Sequence, residues 1–311
     1  LEVGATVECS AQPAYAPRSD PAGARASSSP YRCALAPTRG VEAGGVRYAY
    51  RSLGAERGVP LVMVNRFRGS LDHWDPAFLD RIADKRHVVI FDNAGVARSS
   101  GEASLRLSGW ADSAATFIRA LGHDQVDLLG FSFGGLVSQE LTLRHPALVR
   151  RLVIVGSGAG HVQGAPLQRK AIEIATKPFN SDADFLYLFF KDTPTSQAAG
   201  RAHLARLQQR ADAFAAEVSE AAWKAMLSAG SDVGTPETSL LTRVGAITQP
   251  VLVANGNDDV MIPTFQSYAL AQALPNARLV IYPDSGHAFM FQYPTTFGDE
   301  VVRFLEADAK S

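Results

Sequence analysis

Six short runs of β-branched and apolar residues, each followed by a loop and an amphipathic stretch, constrain this chain more than any other feature. The runs are VPLVMV (59–64), HVVIFD (87–92), VDLLGF (126–131), RLVIVG (151–156), PVLVAN (250–255) and ARLVIY (277–282). Helical candidates lie at 72–84, 108–121, 134–145, 264–274 and 294–308. Strands with no polar face belong to a sheet covered on both sides, and strands separated by helices run mostly parallel. The expected fold is α/β, a mainly parallel sheet flanked by helices. From Gly44, GGVRYAYRSLG alternates and then turns, as one or two antiparallel strands would.

The rhythm stops between Gly156 and Val251, where only helical stretches occur, among them DADFLYLFFKD and RAHLARLQQRADAFAAEVSEAAWKAML. An insertion there is expected to cover the loop-built edge of the sheet, where open α/β sheets bind ligands. The expected division is an N-terminal extension at 1–43, a first core segment at 44–156, a helical cap or lid at 157–245 and a second core segment at 246–311. The extension is rich in Ala, Pro, Ser and Arg and is expected to be flexible and outside the fold.

A net charge of −1 selects neither nucleic acid nor an anionic membrane as a partner. No apolar run reaches the length of a membrane span, and LEVGATVECSAQPAYAPRSD has no basic start followed by an apolar stretch, so a cytoplasmic location is the expectation. The chain has two cysteines, Cys9 and Cys33. They could be paired in an oxidising compartment or stand as two thiols.

The chemistry-bearing motif is Gly130-Phe131-Ser132-Phe133-Gly134, a G-x-S-x-G between an apolar strand and a helix. Serine becomes an effective nucleophile when a base takes its proton, and a sharp strand-to-helix turn pushes its hydroxyl out of the sheet edge. Flanking glycines remove side chains that would clash there. The helix that follows directs its N-terminal N–H groups at developing negative charge. The bland alternative makes Ser132 a helix cap.

Among seven histidines, His287 stands after the last core strand and before the final helix, where a loop can bring an imidazole over the serine. A carboxylate is needed to orient that base and stabilise its charged form. Asp258 and Asp259, in VLVANGNDDVMIP, both follow a core strand, and either supplies the order Ser, Asp, His. Asp92, in FDNAGVARSSG, precedes the nucleophile and is read as turn-forming.

With these residues the chain resembles the α/β-hydrolase superfamily over roughly residues 44–308, in particular its esterase, perhydrolase and cofactor-free haloperoxidase-like branch. The resemblance selects Asp259, framed by Gly256 and Pro263 as in the G-x-x-D-x-x-x-P turn. It also matches Asp284-Ser285-Gly286-His287 to a DSGH-like loop, and Asp92 to Ser99 to a D-x-x-G-x-G-x-S turn in which Ala97 replaces a glycine. It implies an oxyanion hole made by the backbone N–H groups of Phe67 and Phe133, with Asn65-Arg66 where the family usually has His-Gly. The two phenylalanine rings are expected to line the pocket. Arg66 is read as a loop brace or a contact for a substrate carboxylate, and the aromatic residues of 185–190 as pocket wall or internal core.

The expected activity is hydrolysis of small apolar esters, thioesters or lactones through an acyl-enzyme, with no cofactor or metal. C–C bond hydrolysis and perhydrolysis with the same triad are alternatives, and so is a ligand-binding receptor that has lost turnover.

Overall fold

The computed structural model describes residues 29–307. Eight strands form one sheet: β1 (Arg39–Ala43), β2 (Val46–Leu53), β3 (Leu61–Val64), β4 (Val88–Phe91), β5 (Val126–Phe131), β6 (Val149–Val155), β7 (Val251–Gly256) and β8 (Ala277–Tyr282). Their order across the sheet is β1-β2-β4-β3-β5-β6-β7-β8. β2 runs antiparallel to both β1 and β4, and every other pairing is parallel. β3, β4, β5 and β7 are buried along their whole length, which is why each reads as a nearly continuous apolar run, interrupted by Asp127 in β5 and Asn255 in β7. The six runs fall on β3 to β8 in chain order.

Two apolar clusters sandwich the sheet. On one face α2 (Pro76–Ala83), α10 (Phe289–Gln292) and α11 (Pro294–Glu306) bury Phe78, Phe291 and Phe297. On the other, α3 (Leu107–Ala120), α4 (Phe133–Arg144) and α9 (Thr264–Ala273) bury Phe117, Val137 and Leu270. The helix expected over 72–84 is split: a 3-10 turn at Leu71–His73 precedes α2, because Asp75 caps α2 by accepting from the N–H of Ala77 and Pro76 occupies its first turn.

The boundary expected at residue 44 falls too late. β1 joins the sheet across Gly44-Gly45, whose φ values of 57° and 76° suit a two-residue hairpin turn. A short helix, α1 (Arg32–Leu35), docks on α2, where the Asp80 carboxylate accepts from the N–H groups of Arg32 (2.7 Å) and Cys33 (2.9 Å). β1 was hidden because it is a short edge strand, mostly exposed and broken by Arg39 and Glu42, so it carries no apolar run. Cys33 is buried, and burial pushes its thiol pKa up. Cys9, and with it the Cys9–Cys33 pairing, lies outside the described residues.

The interval at 157–245 forms α5 (Arg169–Ala175), α6 (Asp182–Phe189), α7 (Pro194–Leu207) and α8 (Glu220–Ser231). Ser181, Thr193 and Ser219 cap α6, α7 and α8. Phe185, Leu188, Phe189 and Phe190 are buried in the same cluster as α2 and α10. Polar anchors hold the interval to the sheet-bearing part. Asp72 accepts from Arg51 (2.6 Å), from Arg98 and from the N–H of Phe214 (3.0 Å). Among the described residues no helix is long and apolar enough to cross a membrane.

Candidate active site

β5 runs straight into α4 through Ser132, whose φ of 56° and ψ of −118° lie where side chains are rarely tolerated. The turn is held from below: the N–H of Ser132 donates to Val155 O (2.8 Å), and the Ser157 hydroxyl donates to Ser132 O (2.8 Å). The motif glycines serve close approach. A Cβ on Gly130 would lie 2.2 Å from Gly134 O, and one on Gly134 would lie 2.2 Å from Val64 O. The second contact shows how tightly the start of α4 abuts the end of β3, bringing the Asn65–Gly69 loop beside the N–H of Phe133.

The loops after β7 and β8 are tied together. Ser285 N–H donates to Asn257 Oδ1 (3.2 Å), Asp258 N–H donates to Ser285 O (3.0 Å), and a Cβ on Gly256 would meet Gly286 O at 2.3 Å. This contact carries Asp259 to His287. Nδ1 of His287 donates to Asp259 Oδ2 at 2.7 Å, while Asp259 Oδ1 accepts from the N–H groups of Met261 and Ile262, both at 2.8 Å. Both side chains are buried. The aspartate accepts on both oxygens and so stays fixed. Asp258 points away, 3.8 Å from Lys191 Nζ with its side chain 56% exposed. The structure therefore brings Asp259, and not Asp258, to the imidazole.

His287 Nε2 is buried and makes no hydrogen bond, the Ser132 hydroxyl included. Both residues line one cavity of about 80 Å³, several times the roughly 10–15 Å³ that a water needs. Contacts of this kind are commonly loose before substrate binds. The cavity wall is mostly apolar, with Phe67, Phe185, Phe189, Leu204, Phe214 and Met261 among its residues. Four of these six come from the inserted interval. The ring of Phe67 lines the cavity as expected. The ring of Phe133 does not: it turns the other way and meets Trp110 edge-on at 5.1 Å. As the first residue of α4 it packs against Trp110 of α3, in a second, smaller cavity that Asn65, Arg66 and Gly69 also line.

Arg66 is well buried. Its Nη1 donates to Phe67 O (2.8 Å) and its guanidinium lies 4.7 Å from the centre of the Phe189 ring, so it braces the loop while lining the cavity. Arg68, with φ of 55°, donates to Lys177 O (2.6 Å) and Pro178 O (3.0 Å) and covers Trp223 at 5.0 Å. Nothing in the sequence marks Arg68, or His73, which also lines the cavity. Neither carries a local signal, since both depend on what the interval does overhead. At Ala97, the position where a glycine is usual, φ is 44°. Asp92 is buried beneath this turn and accepts from the N–H groups of Leu71 (2.7 Å) and Arg98 (3.2 Å), the structural part read for it.

A family model described as the alpha/beta hydrolase fold matches residues 59–294. The chain belongs to the α/β-hydrolase fold family. Among solved structures, this α/β hydrolase resembles an alpha/beta hydrolase fold protein from Chitinophaga pinensis, with 36% identity and a TM-score of 0.82 over 89% of this chain and 99% of that one. Its sequence is 31% identical to a 2-hydroxymuconate semialdehyde hydrolase of Pseudomonas putida, over 74% of this chain and 80% of the relative. It is 24% identical to RutD of Rhizobium rhizogenes, to which carbamate hydrolysis is ascribed, over 79% of this chain and 92% of RutD.

Proposed function

We propose that this α/β hydrolase is a serine hydrolase of small carboxylic esters, thioesters or lactones, with Ser132 as nucleophile, His287 as base and Asp259 as its orienting acid. The observation that carries this reading is the 2.7 Å bond from His287 Nδ1 to Asp259. It fixes the tautomer that leaves Nε2 with a lone pair, and Nε2 belongs to a ring lining the same cavity as the strained serine.

In this scheme Nε2 takes the Ser132 proton as the hydroxyl oxygen attacks the carbonyl carbon. The resulting oxyanion is received by the N–H groups of Phe67 and Phe133, each contributing about 3 kcal/mol of barrier lowering. His287 then gives its proton to the leaving oxygen or sulfur, and a water activated by the same imidazole releases the acyl group. The apolar wall favours apolar acyl groups, and residues 157–245 act as the lid.

The test is turnover of p-nitrophenyl butanoate. Ser132→Ala should lose about a thousandfold or more in kcat while its circular dichroism and melting stay those of a folded protein. Undiminished turnover would refute the scheme. Labelling of Ser132 by a fluorophosphonate would count against a non-catalytic receptor.

The similarity to 2-hydroxymuconate semialdehyde hydrolase supports a second reading, cleavage of a C–C bond next to a carbonyl by the same three residues. Faster turnover of a vinylogous diketone than of any short ester would favour it. Perhydrolysis would show as peroxide-dependent peracid formation in the same assay.

A further inference from the structure

His73 sits in the 3-10 turn between β3 and α2, one of whose ends is closed by its own ring. The N–H of Ser70 donates to Nδ1 at 2.9 Å, and the Ser70 hydroxyl lies 3.0 Å from the same atom. A nitrogen that accepts a backbone N–H carries a lone pair, so in the neutral ring the proton is on Nε2. Burial first, then the neighbouring Arg66 and His203, hold the pKa of His73 well below its ordinary range, which keeps the ring neutral. The ring packs T-shaped against Phe214, with centroids 4.9 Å apart. Nδ1 is taken up by the Ser70 backbone, and the residue lines the cavity shared with Ser132 and His287, so Nε2 is the ring nitrogen left for a ligand there. Among the described residues no acceptor bonds to Nε2.

We infer that His73 is a specificity-determining residue, whose Nε2–H binds an oxygen acceptor carried on the substrate away from the scissile bond. The preferred substrates are then oxo- or alkoxyacyl esters in place of plain alkanoyl esters of the same length. The cavity gives the physical reason: in a wall that is mostly aromatic and aliphatic, a fixed neutral donor discriminates by what it loses when unpaired. Arg66, Arg68 and Asn180 also line the cavity, but Arg66 Nη1 donates to Phe67 O, Arg68 to Lys177 O and Pro178 O, and Asn180 to Ile174 O, so they are the competing donors that the test separates.

This inference deepens the proposed ester chemistry, and its test has one arm that does not depend on turnover. In the first arm, p-nitrophenyl 4-oxopentanoate is compared with p-nitrophenyl pentanoate. The ratio of their kcat/KM values, after correction for intrinsic reactivity, should favour the oxo ester by about three- to tenfold, the size of one neutral hydrogen bond. The preference should fall to near unity in His73→Phe and return in His73→Gln, whose amide can reach the same point. In the second arm, binding of the uncleaved methyl esters to the Ser132→Ala protein is followed by NMR titration. The oxo ester should bind more tightly, and adding His73→Phe should erase the difference. A binding preference without any ester turnover would sink the hydrolase reading and leave the role of His73 standing. Equal binding of the two esters, or a preference that survives His73→Phe, would overturn it.

Discussion

Asp75, the capping residue of α2, accepts a 2.6 Å hydrogen bond from Nδ1 of His203 in α7, with both side chains closed off from water. Arg206, one turn further along α7, donates to the same carboxylate at 2.6 Å, and the His203 ring stacks on Phe291 at 4.4 Å. One buried carboxylate thus joins α7 of the inserted interval to the part of the molecule that bears the sheet. Asp75→Asn should lower unfolding stability by about 3 kcal/mol, since removing one partner leaves a guanidinium without its counter-charge. Urea unfolding midpoints measure this, and a change within error would show the contact to be dispensable.

The same pair gives stability a pH dependence. Burial lowers the pKa of His203 from its ordinary 6.5, against the opposing pull of Asp75. Between that lowered value and 6.5 the unfolded chain holds a proton that the folded one refuses. The contribution is therefore complete above 6.5 and declines as pH falls below it. His203→Phe, which keeps the ring stack, should make this limb shallower when urea midpoints at pH 8 and pH 5 are compared, the rest coming from His73 and His87, whose pKa values burial also lowers.

Asp258 and Asp259 are adjacent in sequence and unlike in place. Asp259→Asn should cut kcat by about four orders of magnitude, because the imidazole loses the carboxylate that fixes its tautomer. Asp258→Asn should leave kcat within about twofold, since an exposed ion pair contributes little. Equal losses in the two variants would contradict the 2.7 Å contact to His287 as the functional one.

The backbone at Ser132 is strained, and glycine would relieve it. Ser132→Gly should be inactive yet about 1 kcal/mol more stable than Ser132→Ala, the lower end of what such a conformation costs. Gly134→Ala should do the reverse, destabilising by about 3 kcal/mol, because the new Cβ meets the Val64 carbonyl, which cannot move away. Thermal melts of the three proteins decide both points.

Arg68 spans the Asn65–Gly69 loop and the segment after α5. Arg68→Ala should loosen that segment, raising KM several-fold and speeding limited proteolysis near residues 175–180, with kcat less affected. Unchanged cleavage would show that α5 is held by its apolar contacts alone.

Much of the framework was legible along the chain. β3 to β7 announce themselves because inner strands covered on both faces need mostly apolar side chains, β8 because its own residues are apolar although it forms the other edge, and Ser132 because its turn demands Gly130 and Gly134 on either side. β1 did not, since an edge strand is held by backbone pairing to β2 and leaves its side chains to solvent. His287 could be singled out by its place in the chain order, whereas the two aspartates after β7 could be separated only by resemblance until Asp259 was seen against His287.

The local pattern of this sequence was enough to mark the strands β3 to β8, most of their flanking helices and the turn at Ser132, because each depends on residues close together in the chain. Only the tertiary structure decided that His73 lines the cavity, that the Phe133 ring leaves it, and that His203 is buried against Asp75. Those outcomes depend on which distant surfaces meet, and an isolated histidine or phenylalanine carries no local mark of what will pack on it.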